Sequence, residues 1–118
     1  MKFEDIPWKK IRTETETFIV VEDGFPVTEE HLLFVPKEDT HDCLATCYTC
    51  AYLTGKYWVD MGYCDSFNIG QNIGKEAGQT VMWPHIHFIP RRKGDMDDPR
   101  GGVRHVIPEK GNYKIFSK

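Results

Sequence analysis

Phe18-Ile19-Val20-Val21 is a short, β-branched apolar run that ends at the turn-forming stretch Glu22-Asp23-Gly24-Phe25-Pro26, which predicts a strand followed by a turn. His31-Leu32-Leu33-Phe34-Val35, stopped by Pro36, predicts a second strand paired with the first as an antiparallel hairpin. His31 reads as a strand-edge residue rather than a ligand. Beyond Thr40, which suits an N-cap, Leu44, Cys47, Tyr48, Ala51 and Tyr52 share one face at helical spacing. One amphipathic helix is therefore expected from about His41 past Gly55, with Asp42 well placed near its N-terminus.

Alternation returns at Ser66 and continues to Asn72, giving a third strand that breaks into the loop Ile73–Thr80. A fourth strand, Pro84–Ile89, is bounded by Pro84 and Pro90 and leaves through the polar Arg91-Arg92-Lys93-Gly94-Asp95. Val103–Ile107 reads as a further short strand, followed by Pro108, Gly111, Tyr113 and Phe116 in a tail suited to packing on a partner subunit. Together these predict an α+β fold: an antiparallel sheet of about five strands with one main helix packed on one side. The 118 residues fit a single domain, 1–118, of which 92–118 is a loop and C-terminal tail.

Composition narrows the partners. A chain 40% apolar and 28% charged is ordinary for a globular protein, and a net charge of -3 supplies no basic field for duplex DNA or RNA. A small anionic ligand held by local donors remains open. No apolar run approaches the roughly 18 residues that span a bilayer, so no membrane role is expected. Cys43, Cys47, Cys50 and Cys64 lie in one short stretch, and the opening MKFEDIPWKK lacks the apolar core of a signal peptide. Reduced thiols in a cytoplasmic protein are the expectation. Cys47-x-x-Cys50 with His41 looks superficially like a zinc set, but the second ligand pair of a closed site is missing. The cysteines are read as buried and structural, and no metal or cofactor is expected.

In a strand, residues i and i+2 share a face, so His85 and His87 stand side by side while Ile86 and Phe88 point into the core. Two imidazoles on one exposed face suit phosphoryl or nucleotidyl transfer: one attacks phosphorus, and the other, when protonated, stabilises a non-bridging oxygen or the leaving group. The preceding Gly78-Gln79-Thr80 offers an unobstructed backbone, an amide and a hydroxyl to a phosphate. By itself a His-x-His pair fits a structural or metal-binding role equally well.

Gly78-Gln79-Thr80-Val81 followed by His85-Ile86-His87-Phe88-Ile89-Pro90-Arg91 resembles the signature of the histidine triad family. Asn68–Gly74, the Asp23–Val27 turn and the His31–Lys37 strand extend the likeness over roughly residues 18–92. The tail Asp98–Pro108 is similar to the branch related to dinucleoside polyphosphate hydrolases. The resemblance implies that His85 forms a covalent nucleotidyl intermediate and that His87 contacts the phosphate and aids the leaving group. It implies that Asn72, Gly78, Gln79 and Thr80 position phosphates or the leaving group, that Asp23 binds ribose hydroxyls, and that the protein is a homodimer. One departure stands out: Trp83 occupies the place of the first triad histidine. Its indole N–H still donates, although it is neither acid nor base, and a backbone carbonyl is expected to support His85 Nδ1–H so that Nε2 keeps the attacking lone pair. The implied function is a nucleotide hydrolase. Its alternatives are a transferase or phosphorylase of the same kind, a nucleotide-binding module with reduced turnover, and a metal protein using His85, His87, His105 or the cysteines.

Overall fold

The computed structural model describes residues 1–113. Strands β1 (Ile11–Glu14), β2 (Phe18–Glu22), β3 (Leu32–Pro36), β4 (Ser66–Gly70) and β5 (Ile86–Arg91) form one sheet in the order β1-β2-β3-β5-β4, with every neighbouring pair antiparallel. A single long helix, α1 (His41–Asp60), packs on one face, giving the expected α+β arrangement.

The fifth strand is not the one read from the sequence. β1, Ile-Arg-Thr-Glu, is exposed along its whole length and is held by its ladder to β2, with a register shift between Ile11 and Thr13. The expected strand at Val103–Ile107 is instead a 3-10 turn, Gly102–Val106, followed by another at Pro108–Lys110. Gly101 and Gly102 have φ of +99° and +49°, which turns the backbone away from an extended path. Phe116 lies outside the described residues.

β5 starts two residues later than expected and runs through Pro90 rather than stopping at it. Pro90 pairs with Phe67 of β4, and its carbonyl accepts from Thr28 Oγ1 at 2.8 Å on the other side, where β3 has already ended. A residue in an antiparallel ladder points its N and O to the same side, so the missing proline donor falls where no strand needs it.

Thr40 Oγ1 caps α1 by accepting from the Cys43 N–H at 3.2 Å. Small residues spaced by four, Cys47, Ala51 and Gly55, are the buried ones, so the helix lies close to the sheet. The sequence placed Tyr48 and Tyr52 on this face, but both rings are exposed, because only small side chains fit the contact. Burial pushes the Cys47 thiol up to about 12, with Cys50 and Cys43 adding to the effect. All four cysteines are free thiols. No helix among the described residues is long and apolar enough to cross a membrane.

The sheet separates two apolar clusters. Phe18, Val20, Leu32, Phe34, Ile86 and Phe88 meet the helix on one side. Ile19, Val21, Leu33 and Val35 face the other way and are covered by the N-terminal segment through Ile6, with Phe3, Trp8 and Trp83 packed around them. The strand parity that sorts these clusters also sorts the histidines.

Candidate active site

With Ile86 and Phe88 committed to the helix side, His85 and His87 emerge on the opposite face, their ring centroids 5.3 Å apart. His85, just ahead of the first paired residue of β5, is buried between Trp8, whose ring centroid is 4.7 Å away, and the Trp83 backbone. His85 Nδ1 lies 2.8 Å from the Trp83 carbonyl oxygen. A carbonyl can only accept, so the proton sits on Nδ1 and the lone pair is on Nε2. The Trp83 indole N–H donates to the Pro36 carbonyl at 2.8 Å. Its side chain therefore anchors the loop to the end of β3 while its backbone orients His85.

His31, read from the sequence as a strand-edge residue, belongs to this site. It is buried beside β3, and its Nδ1 accepts from the Val27 N–H at 3.1 Å. Its remaining proton therefore sits on Nε2, which lies 2.9 Å from His87 Nδ1. Donation along that contact makes His87 Nδ1 an acceptor and leaves the His87 proton on Nε2. The two triad imidazoles thus hold opposite tautomers: His85 presents an Nε2 lone pair and His87 an Nε2–H. The chain Val27 to His31 to His87 sets this, and Leu33 pairing with His87 across β3 and β5 brings the rings together.

Asp23 lies behind this pair, with Oδ2 3.4 Å from His31 Nε2 and 3.8 Å from His87 Nδ1, while Oδ1 accepts from the Phe25 N–H at 2.7 Å. Burial lowers the His87 pKa to about 4, with His31 and His85 adding to the fall and Asp23 opposing it. His31 is lowered as well, by burial, again against Asp23. Desolvation outweighs the carboxylate, so both rings are neutral near pH 7. His87 consequently presents a neutral Nε2–H, whereas the sequence reading invoked a protonated ring.

Asp23, His31 and His87 bring potential ligand atoms within 4.8 Å of one another. The hydrogen bonds argue against a cation there, because the Val27 N–H occupies His31 Nδ1 and forces a proton onto the nitrogen that would have to ligate. Cys43, Cys47 and Cys50 belong to no such group among the described residues.

The connection from β4 to β5 returns beside the histidines, since Gly70 pairs with His87 and Asn72 follows it by two residues. Gly78 has φ of +94°, which only glycine adopts freely, and its N–H closes the turn onto the Lys75 carbonyl. The Gln79 N–H bonds to the Gly74 carbonyl, its side-chain oxygen accepts from the Gly74 N–H, and its amide donates to the Val81 and Met82 carbonyls. In this conformation Gly78 and Gln79 shape the loop instead of presenting free donors. Thr80 is exposed at its end. His105 is remote in contact, its Nε2 lying 3.0 Å from the Arg100 carbonyl oxygen.

An antiparallel sheet with a helix on one face and paired, tautomer-locked imidazoles on the other defines the class to which this chain's comparisons point. The family model described as HIT domain matches residues 5–94, and the chain belongs to the histidine triad (HIT) family. It is 34% identical over 105 residues to an uncharacterized HIT-like protein of Methanocaldococcus jannaschii, covering 82% of this chain and 81% of that one. Identity is 32% over 95 residues with adenosine 5'-monophosphoramidase of Saccharomyces cerevisiae, covering 71% of this chain and 60% of the relative. The crystal structure of a zinc-bound histidine triad family protein from Mycobacterium smegmatis superposes with a TM-score of 0.69 at 31% identity, covering 80% of this chain and 73% of that one.

Proposed function

We propose that this protein hydrolyses a nucleoside phosphate derivative, a nucleoside phosphoramidate or a dinucleoside polyphosphate, through a nucleotidyl-histidine on His85. The observation that carries this reading is the pair of opposite tautomers, a nucleophilic lone pair on His85 Nε2 beside an N–H donor on His87 Nε2. His85 Nε2 attacks phosphorus, an N–P bond forms, and the bond to the leaving group breaks with its electron pair departing on that group, which takes a proton from solvent. The His87 Nε2–H donates to the phosphoryl oxygen on which charge develops. Water then attacks phosphorus, the N–P electron pair returns to Nε2, and the water's surplus proton passes to solvent. Inorganic phosphate or a nucleotide in place of that water makes the same site a phosphorylase or transferase.

Family membership and the named activity of the yeast relative support this chemistry. Asn72 and Thr80 are assigned to the phosphates or leaving group and Asp23 to the ribose hydroxyls, while Gly78 and Gln79 hold the shape of the loop that carries Thr80. Asp23 also stands beside both rings of the His31–His87 pair. The free thiols suit a cytoplasmic setting, and the exposed Tyr52, Leu53 and Tyr57 on α1, with Met61 just beyond its end, suit a homodimer. Incubation with adenosine phosphoramidate and, separately, diadenosine tetraphosphate is expected to release AMP with wild type and not with His85→Ala. Measurable AMP binding with no AMP release from either compound would favour a nucleotide-binding module instead.

A further inference from the structure

Trp8 precedes every strand of the sheet and has no part in the tautomer chain, yet its ring lies 4.7 Å from that of His85, tilted by 56°. It is held there from both sides. Two residues before it, Ile6 is buried in the cluster on the site face. Two residues after it, the Lys10 carbonyl accepts from the Glu22 N–H at 3.0 Å, so the segment is pinned immediately before β1 begins. The ring is half-buried, packed against the same cluster.

The charge that His85 carries changes during the proposed reaction. The attacking form has its lone pair on Nε2 and carries no charge. After Nε2 bonds to phosphorus, Nδ1 keeps its proton on the Trp83 carbonyl, so the ring holds bonds at both nitrogens and carries a positive charge. That charge returns to zero when water breaks the N–P bond. An aromatic face within about 6 Å of a cation attracts it, and tryptophan does so best. The interaction is therefore strongest in the covalent intermediate and in the transition states flanking it, which is the condition for raising turnover rather than affinity.

We propose that Trp8 is a positioning residue that stabilises the cationic nucleotidyl-His85 ring, an assignment that rests on the hydrolase reading above and deepens it. Other groups at that ring are the Trp83 carbonyl and the His87 imidazole, with Asp23 behind His87; imidazole is aromatic too, but the electron-rich indole of Trp8 lies closer and is the better partner for a cation.

Steady-state and rapid-quench kinetics on the full chain, with adenosine phosphoramidate or diadenosine tetraphosphate, test this with Trp8→Leu and Trp8→Phe. Trp8→Leu is expected to lower kcat roughly tenfold, with KM little changed and a smaller amount of trapped adduct. Trp8→Phe should recover a large part of both, because it restores the aromatic face with a different shape. A rise in KM with unchanged kcat would overturn the proposal and make Trp8 a ground-state contact for the ligand. Equal loss in the leucine and phenylalanine variants, with both folded by circular dichroism, would overturn it in favour of simple packing. An inactive wild type would instead overturn the hydrolase reading itself, and the Trp8 proposal with it.

Discussion

His31 decides which nitrogen of His87 carries the proton, and it does so with one hydrogen bond received and one given. Replacing it by phenylalanine keeps a ring of similar shape but removes the donor. His87 is then free to adopt either tautomer, and kcat should fall about tenfold, the equivalent of one buried hydrogen bond, with His85→Ala as the inactive reference. The lowered pKa values also predict a stability profile. Unfolded, His87 titrates near 6.5; folded, burial holds it down to about 4, so the unfolded state binds the extra proton across that interval. Stability should therefore be full above about pH 6.5 and fall as pH drops toward 4, by at most about 3 kcal/mol for this residue, with His31 adding in the same direction. Denaturant melts from pH 4 to 7 should show the slope in wild type and a shallower one in His87→Gln; equal slopes would contradict this assignment.

At the scale of elements, the contact between α1 and β4 depends on Gly55. A Cβ there would overlap the Phe67 ring, which is wedged between the helix and Phe88. Gly55→Ala gains up to about 1 kcal/mol of helix propensity but loses about 1–3 kcal/mol to overpacking. A net loss of about 1–2 kcal/mol in urea denaturation is expected, and a stabilised variant would show that Phe67 can move aside. Elements with a buried face were legible in the sequence: β2 and β3 as continuous apolar runs buried on both faces, β5 and α1 by apolar residues at the period of their secondary structure. β1 was not, because an exposed edge strand needs no apolar face, and the tail misled because its apolar triplet gave no sign of the left-handed backbone at Gly101. His85 and His87 stood out by their spacing. His31 did not, although it shares the parity of Leu33, because its role depends on β3 lying against β5, a pairing that no local pattern encodes. Trp8 was invisible for the same reason.

In the whole molecule, the helix and its cluster cover one face of the sheet, and the candidate site lies on the other, where three strands and the N-terminal segment converge. The proposed homodimer should sediment at about twice the 13.7 kDa of one chain; a monomer at micromolar concentration would remove that proposal without touching the site. The proposed hydrolysis depends on a covalent bond from His85 Nε2 to the nucleotide. Mass spectrometry of enzyme quenched in acid-free conditions during turnover of an adenylyl substrate tests it most directly. One adenylyl group is expected on the peptide containing His85, and none in His85→Ala. Turnover by wild type with no adduct on that peptide, or an adduct on another residue, would contradict it.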